Sequence, residues 1–183
     1  CAKPPEQEMQ QADEAMNAAV SAQADVYAPT EQALAQDAMS KAQAEVEAQK
    51  AKFVLFRSFT ESKSMYAAAI EASNKAKDAA VVNKEAVKAE AATLMAEAKA
   101  AVDEAGKSLK SAPRGKDTKA DIDAMAADIA SLTSQLPELD DLMTKESFMD
   151  AKNKAQAIKE QAMKIQADVQ AAKEKMKSSR KKR

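Results

Sequence analysis

The chain has no histidine and no tryptophan, and its 183 residues include only two glycines, five prolines, one cysteine, two tyrosines and four phenylalanines. Without histidine, the usual general base, the commonest zinc ligand and the Ser/His and Cys/His nucleophilic pairs are all missing. Two glycines cannot build a Gly-rich phosphate cradle. A single cysteine rules out an intramolecular disulfide, and no apolar run approaches the roughly 20 residues of a membrane-spanning helix. These absences point away from an enzyme, with no catalytic residue, no metal and no non-covalent cofactor expected. What the chain does hold is alanine, roughly a quarter of the residues, and charge, with 28 basic against 29 acidic residues and a formal net charge of -1. A composition of this kind favours helix.

Apolar spacing and breakers predict an all-α, elongated bundle of about five helices, arranged as long antiparallel hairpins with coiled-coil-like seams. A first helix begins after Pro5 and carries Met9, Ala12, Met16, Ala19, Gln23 and Val26 on one face. It ends at Tyr27-Ala28-Pro29, because a proline disfavours helical geometry in the residue before it and suits the first turn of the next helix. A second helix is expected to run to about Arg57 with Phe53 and Phe56 on its buried stripe. A third starts at a capping box between Ser58 and Glu61. It extends to about Lys110, stopped by Gly106 and by Pro113-Arg114-Gly115, a length on the order of 75 Å. Its inner positions are mostly small, as at Ala69, Ala76, Ala80, Ala91 and Ala98, which lets helices approach closely.

The clearest periodicity lies in the fourth helix, opening near Asp117 or Thr118, where Ile122, Met125, Ile129, Leu132, Leu136, Leu139 and Met143 alternate steps of three and four. The register continues past Pro137, which predicts a kinked helix in preference to two separate ones. A fifth helix starts around Ser147 and pairs antiparallel with the fourth across a short turn at 144–146. Its stripe runs from Phe148 through Ala155, Ile158, Ile165 and Val169. The segments Ser58-Phe59-Thr60-Glu61-Ser62-Lys63 and Ser147-Phe148-Met149-Asp150-Ala151-Lys152 share one pattern. Each places a serine cap, an aromatic plug and an acid at a helix start, consistent with a degenerate repeat of hairpins or with convergence on good helix starts. The expected organisation is a tether at 1–5, an N-terminal helix plus long hairpin at 6–112, a second hairpin at 117–178 and a basic tail at 179–183. Heptads alone leave open whether the seams close within one chain or between chains.

Charges alternate along the exposed faces, as in Glu85 with Lys88 and Glu97 with Lys99, and read as solvated surface. The C-terminus differs: from Lys173 to Arg183 there are seven basic residues and one acid. Arg180, Lys181, Lys182 and Arg183 are either a frayed tail that complements the helix end or an arm for an acidic envelope polymer, anionic lipid or acidic partner. Nucleic acid is not expected, because no aromatic residues interleave the cluster. Ten methionines could suit a soft metal, but their dispersal along the seams reads as core filling.

Cys1 followed by Ala2-Lys3-Pro4-Pro5 has the form of a lipidated cysteine on an extended tether, as left when a signal peptide is cleaved. Together with the amphipathic first helix, Tyr27-Ala28-Pro29 and the Ala-rich hairpin, it resembles bacterial lipoproteins that carry an uncharacterised, Ala-rich helical domain reminiscent of tetratricopeptide units. The resemblance covers about residues 1–105. A weaker similarity is to the small murein lipoprotein, which also joins a lipidated cysteine to a heptad rod and a basic C-terminus. These resemblances imply acyl lipid (palmitate) on Cys1, export in a Gram-negative bacterium and anchoring in the outer membrane, facing the periplasm. The function so implied is a non-catalytic scaffold or spacer of the cell envelope. The alternatives are an accessory lipoprotein subunit that binds partner helices in a larger envelope assembly, and a carrier of an apolar ligand.

Overall fold

The computed structural model describes residues 3–112 and 118–181. Among them the regular elements are all helical: α1 (Glu6–Ser21), α2 (Ala24–Tyr27), α3 (Pro29–Ala51), a 3-10 turn (Val54–Phe56), α4 (Thr60–Lys110), α5 (Lys119–Thr144) and α6 (Phe148–Lys181). The protein is an all-α helical bundle. The chain forms two compact units, Cys1–Ala86 and Val87–Arg183, so α4 contributes residues 60–86 to the first and 87–110 to the second. The division falls inside α4 because the helix changes cores along its length. Phe59, Tyr66 and Ala69 belong to the first core, and Met95, Ala98, Val102, Ala105 and Leu109 to the second.

In the first unit the expected single N-terminal helix breaks at Gln23, whose φ of 59° is left-handed. The Ala22 amide donates to the Ala18 carbonyl and the Gln23 amide to that of Val20, closing α1 one turn early. The break rotates the stripe: Ala24, Tyr27 and Ala28 are buried, while Val26, expected inside, is 41% exposed. Pro29 opens α3 as the breaker pattern required. The core joins Ala12 of α1, Met39, Ala42 and Val46 of α3, and Phe59, Tyr66 and Ala69 at the start of α4, with Met9, Met16, Met65 and Ile70 packed against it. Glu8 pairs with Lys63 at 3.2 Å, and Asn83 Nδ2 donates to the Tyr27 carbonyl at 2.8 Å. These ties join an earlier residue to an earlier one and a later to a later, so the α1–α2 segment runs parallel to α4. Gln32 Nε2 reaches Met16 Sδ across the α1–α3 pair, which is antiparallel. The unit is thus an up-down-up three-helix bundle. Both tyrosines of the chain lie buried in it, Tyr27 at 5% and Tyr66 at 1% exposure. Burial, and secondarily Asp13, pushes the Tyr66 phenol above its ordinary pKa.

The second unit repeats the up-down-up order. The residues of α4 from Met95 to Leu109 pack with Ile122, Leu132 and Leu139 of α5 and with Ala155, Ile158, Ala162, Ile165 and Val169 of α6. The expected antiparallel pairing of α5 and α6 is present, and Lys154 pairs with Glu138 across it. Their turn closes with the Ser147 amide on the Leu142 carbonyl and the Glu146 amide on that of Met143, with Glu146 left-handed at φ 56°. This is a Schellman arrangement with glutamate where glycine is usual. Helix α5 continues through Pro137, which is exposed. In the turn before it, Thr133 Oγ1 and Ser134 Oγ donate back to the Ile129 and Ser131 carbonyls.

A pairing absent from the antiparallel expectation ties α4 to α6 in parallel. Lys152 pairs with Glu90, Lys159 with Glu97 at 2.7 Å, Gln166 Nε2 donates to the Ala101 carbonyl at 2.9 Å, and Lys173 Nζ to Ser111 Oγ at 2.8 Å. The four α6 donors recur every seventh residue, the period at which a helix returns to one side of its neighbour. Glu97 and Lys99, expected to face solvent together, reach different helices, since Lys99 pairs with Asp140 of α5 at 3.2 Å. Exposed pairs of this kind contribute only about 0.2–1 kcal/mol each. Their effect is on register more than on stability.

The two helix starts that look alike in sequence are capped one residue apart. At α6 the Ser147 carbonyl accepts from Ala151, but at α4 it is the Phe59 carbonyl that accepts from Lys63. The Ser58 amide, expected to meet Glu61, donates to Gln49 Oε1 at 3.1 Å. Both aromatics are buried all the same, Phe59 at 4% and Phe148 at 3%, and Lys88 Nζ sits 5.5 Å from the Phe148 ring centroid.

Among the described residues, glycine and the left-handed positions do not coincide. Gly106, expected to help end α4, lies inside it, and a Cβ added there meets nothing within 4 Å. Gly106→Ala is therefore expected to raise stability by about 0.5–1 kcal/mol, and Gln23→Gly by a similar amount, because it relieves left-handed strain. Urea unfolding with an unchanged m-value would read both; a loss of stability in Gly106→Ala would contradict the open space beside it.

Candidate functional site

Of the residues expected to carry function, Cys1, Lys182 and Arg183 lie outside the described residues. Arg180 and Lys181 end helix α6. Among the described residues no group of three or more acidic or cysteine side chains could hold a metal ion, and no helix is long and apolar enough to cross a membrane. Most methionines described are core components: Met39 and Met95 are buried, and Met9, Met16, Met65, Met125 and Met143 pack against the two cores, while Met163 is 53% exposed.

The most unusual surface lies where the second helix was expected to continue. Helix α3 stops at Ala51, and Lys52 turns extended at φ -74°, ψ 154°. The next four residues, Phe53, Val54, Leu55 and Phe56, are 66%, 39%, 74% and 76% exposed. Phe53 and Phe56, expected on a buried stripe, are instead the most solvent-accessible phenylalanines of the chain, with Phe59 and Phe148 buried. The cause is local. The two phenylalanines and the valine are weak helix formers, and no helix face can take four consecutive apolar side chains. The chain therefore closes a 3-10 turn, with the Phe56 amide on the Phe53 carbonyl at 2.9 Å and the two rings 6.1 Å apart, tilted by 52°.

The stems of this tip are held together below it. Arg57 Nε donates to the Lys52 carbonyl at 2.9 Å and its Nη2 to the Lys50 carbonyl at 2.7 Å, so one guanidinium caps the C-terminal end of α3. Gln49, 7% exposed, donates to Glu45 at 2.7 Å and accepts from the Ser58 amide, tying the far stem to α3. Phe59 then enters the core. Four apolar side chains thus stand on a fixed base, between Lys52 and Arg57. The signal was present in the sequence as the non-periodic run F-V-L-F between two cations.

Two open grooves also lie among the described residues. One, of about 280 Å³, runs between α3 and α4 beside Glu31, Leu34, Ala68, Glu71, Ala72 and Lys75, with Leu34 61% exposed. Hydrogen bonding to Lys75 holds the Glu71 carboxyl below its ordinary pKa. The other, of about 360 Å³, lies between α5 and α6 and is lined by Asp128, Ser131, Leu132, Gln161, Lys164, Ile165 and Asp168. Both are lined by polar and apolar side chains together. No protein-family description, curated protein or solved structure matches this chain.

Proposed function

We propose that this protein is a non-catalytic helical scaffold or spacer of the bacterial cell envelope, held at the outer membrane by acyl lipid on Cys1 and facing the periplasm. The observation that carries the scaffold reading is the construction of each unit. Alanine seams bring the helices close, and ties such as Glu8–Lys63 and Glu97–Lys159 set their register from outside. This arrangement gives its residues to rigidity and keeps few for a pocket. The anchor and location rest on the Cys1-Ala2-Lys3-Pro4-Pro5 segment and the resemblances it carries. The basic residues Arg180 to Arg183 supply a contact for acidic envelope polymer in this reading.

An accessory subunit of a larger envelope assembly is the second reading, favoured by exposed Leu34 beside the α3–α4 groove. Native protein extracted with detergent separates the two. The scaffold reading expects an N-terminal peptide whose mass includes acyl chains, on a protein that purifies without a stoichiometric companion. An unmodified Cys1 would remove the anchor, and a companion at fixed ratio would favour the accessory subunit.

A further inference from the structure

The exposed tip at 53–56 is not absorbed by a scaffold role. Four consecutive apolar side chains in contact with water are a liability unless something covers them. Their geometry narrows what that is. In a 3-10 turn successive side chains are spread around the axis at three residues per turn, so Val54, Leu55 and Phe56 offer no single stripe to a partner helix. A convex, all-round apolar point suits a medium that can close on every side of it. The charges narrow it further. Lys52 makes no ion pair among the described residues, and Arg57 is fixed at the base of the tip by the Lys50 and Lys52 carbonyls. Lys50 is already paired with Glu47 at 2.8 Å and adds little. Two cations therefore flank the apolar point, at the depth where lipid headgroups lie when the tip is submerged.

We propose that residues 53–56 insert into the headgroup–acyl boundary of an anionic phospholipid bilayer, with Lys52 and Arg57 at the phosphate level. The tethered stems favour this, because Gln49, Arg57 and Phe59 hold the tip in its inserted form before lipid arrives, so little ordering remains to be done on binding. The site is independent of Cys1 and of the envelope reading: it uses neither, and it stands or falls on the tip alone.

The chain has no tryptophan, so Phe56→Trp places its one tryptophan at the tip, to be excited at wavelengths that tyrosine does not absorb. The full-length Cys1→Ser, Phe56→Trp protein is mixed with vesicles of phosphatidylcholine, alone or with phosphatidylglycerol. The expected result is a blue shift, strongest with phosphatidylglycerol, and quenching by brominated acyl chains about 5–10 Å below the headgroups. Adding Leu55→Ser is expected to lower partitioning about tenfold or more. Lys52→Glu is expected to weaken binding about fivefold or more on phosphatidylglycerol vesicles only. Val82→Ser, at a residue 68% exposed elsewhere, serves as the control and leaves binding unchanged. Lys52, Leu55, Phe56 and Val82 are all exposed, and far-UV circular dichroism checks that helicity is kept. Emission unchanged by every vesicle would overturn the proposal. So would a blue shift without lipid that grows with protein concentration and accompanies a sedimenting dimer lost in Leu55→Ser, since the tip would then pack on a second copy.

Discussion

Phe59→Ala is expected to cost about 3–5 kcal/mol, while Phe56→Ala three residues earlier changes stability by no more than about 0.5 kcal/mol. The two side chains are chemically identical and sit on the same turn, but Phe59 is 4% exposed within the core of Met39, Val46 and Tyr66, and Phe56 is 76% exposed. Truncating Phe59 leaves a cavity where the α3–α4 turn meets the bundle, and the rigid alanine seams around it have little slack with which to collapse. Set against a typical total of about 5–15 kcal/mol, the loss is large enough to open the first unit. Urea unfolding measures the cost, and hydrogen exchange places it: amides of residues 6–80 are expected to lose more protection than those of 95–170. Equal costs for the two phenylalanines would mean that the tip is covered in solution.

Leu139→Ala is the matching test in the second unit, with an expected cost of about 2–5 kcal/mol. Leu139 is fully buried among residues of α4, α5 and α6, whereas Leu136, one step earlier on the same stripe, is only half-buried and is expected to cost about half as much. The same core holds Ala98, Ala155 and Ala162, each fully buried, so few long side chains remain to fill the space. Comparable costs at Leu136 and Leu139 in urea unfolding would contradict the stripe orientation, which depends on α5 continuing past Pro137.

Periodicity made much of this architecture legible. Steps of three and four from Ile122 to Met143 marked α5, the small inner positions of α4 are buried or half-buried from Tyr66 to Leu109, and Pro29 marked the start of α3. What failed was decided by single backbone positions or by long-range partners. Gln23 takes a left-handed conformation that its side chain does not announce, and two residues later the stripe is out of phase. Glu97 has a nearby lysine in sequence at Lys99, yet its partner is Lys159, sixty-two residues away and visible only once α6 lies parallel to α4. The exposed tip was misread because Phe53 and Phe56 are three apart, a spacing that fits a helical stripe. Val54 and Leu55 between them carried the contrary signal. The cationic tail and Cys1 rest on sequence reasoning alone.

The placement of the two tyrosines has an optical consequence. With no tryptophan in the chain, Tyr27 and Tyr66 account for its near-ultraviolet aromatic emission, and both are buried in the first unit. The second unit, whose aromatic residue is Phe148, is silent at those wavelengths. Tyrosine emission therefore follows residues 3–86 alone, while far-ultraviolet dichroism follows the helices of both units. Recorded on one sample, the two signals act as separate channels for two halves of one polypeptide, without a label.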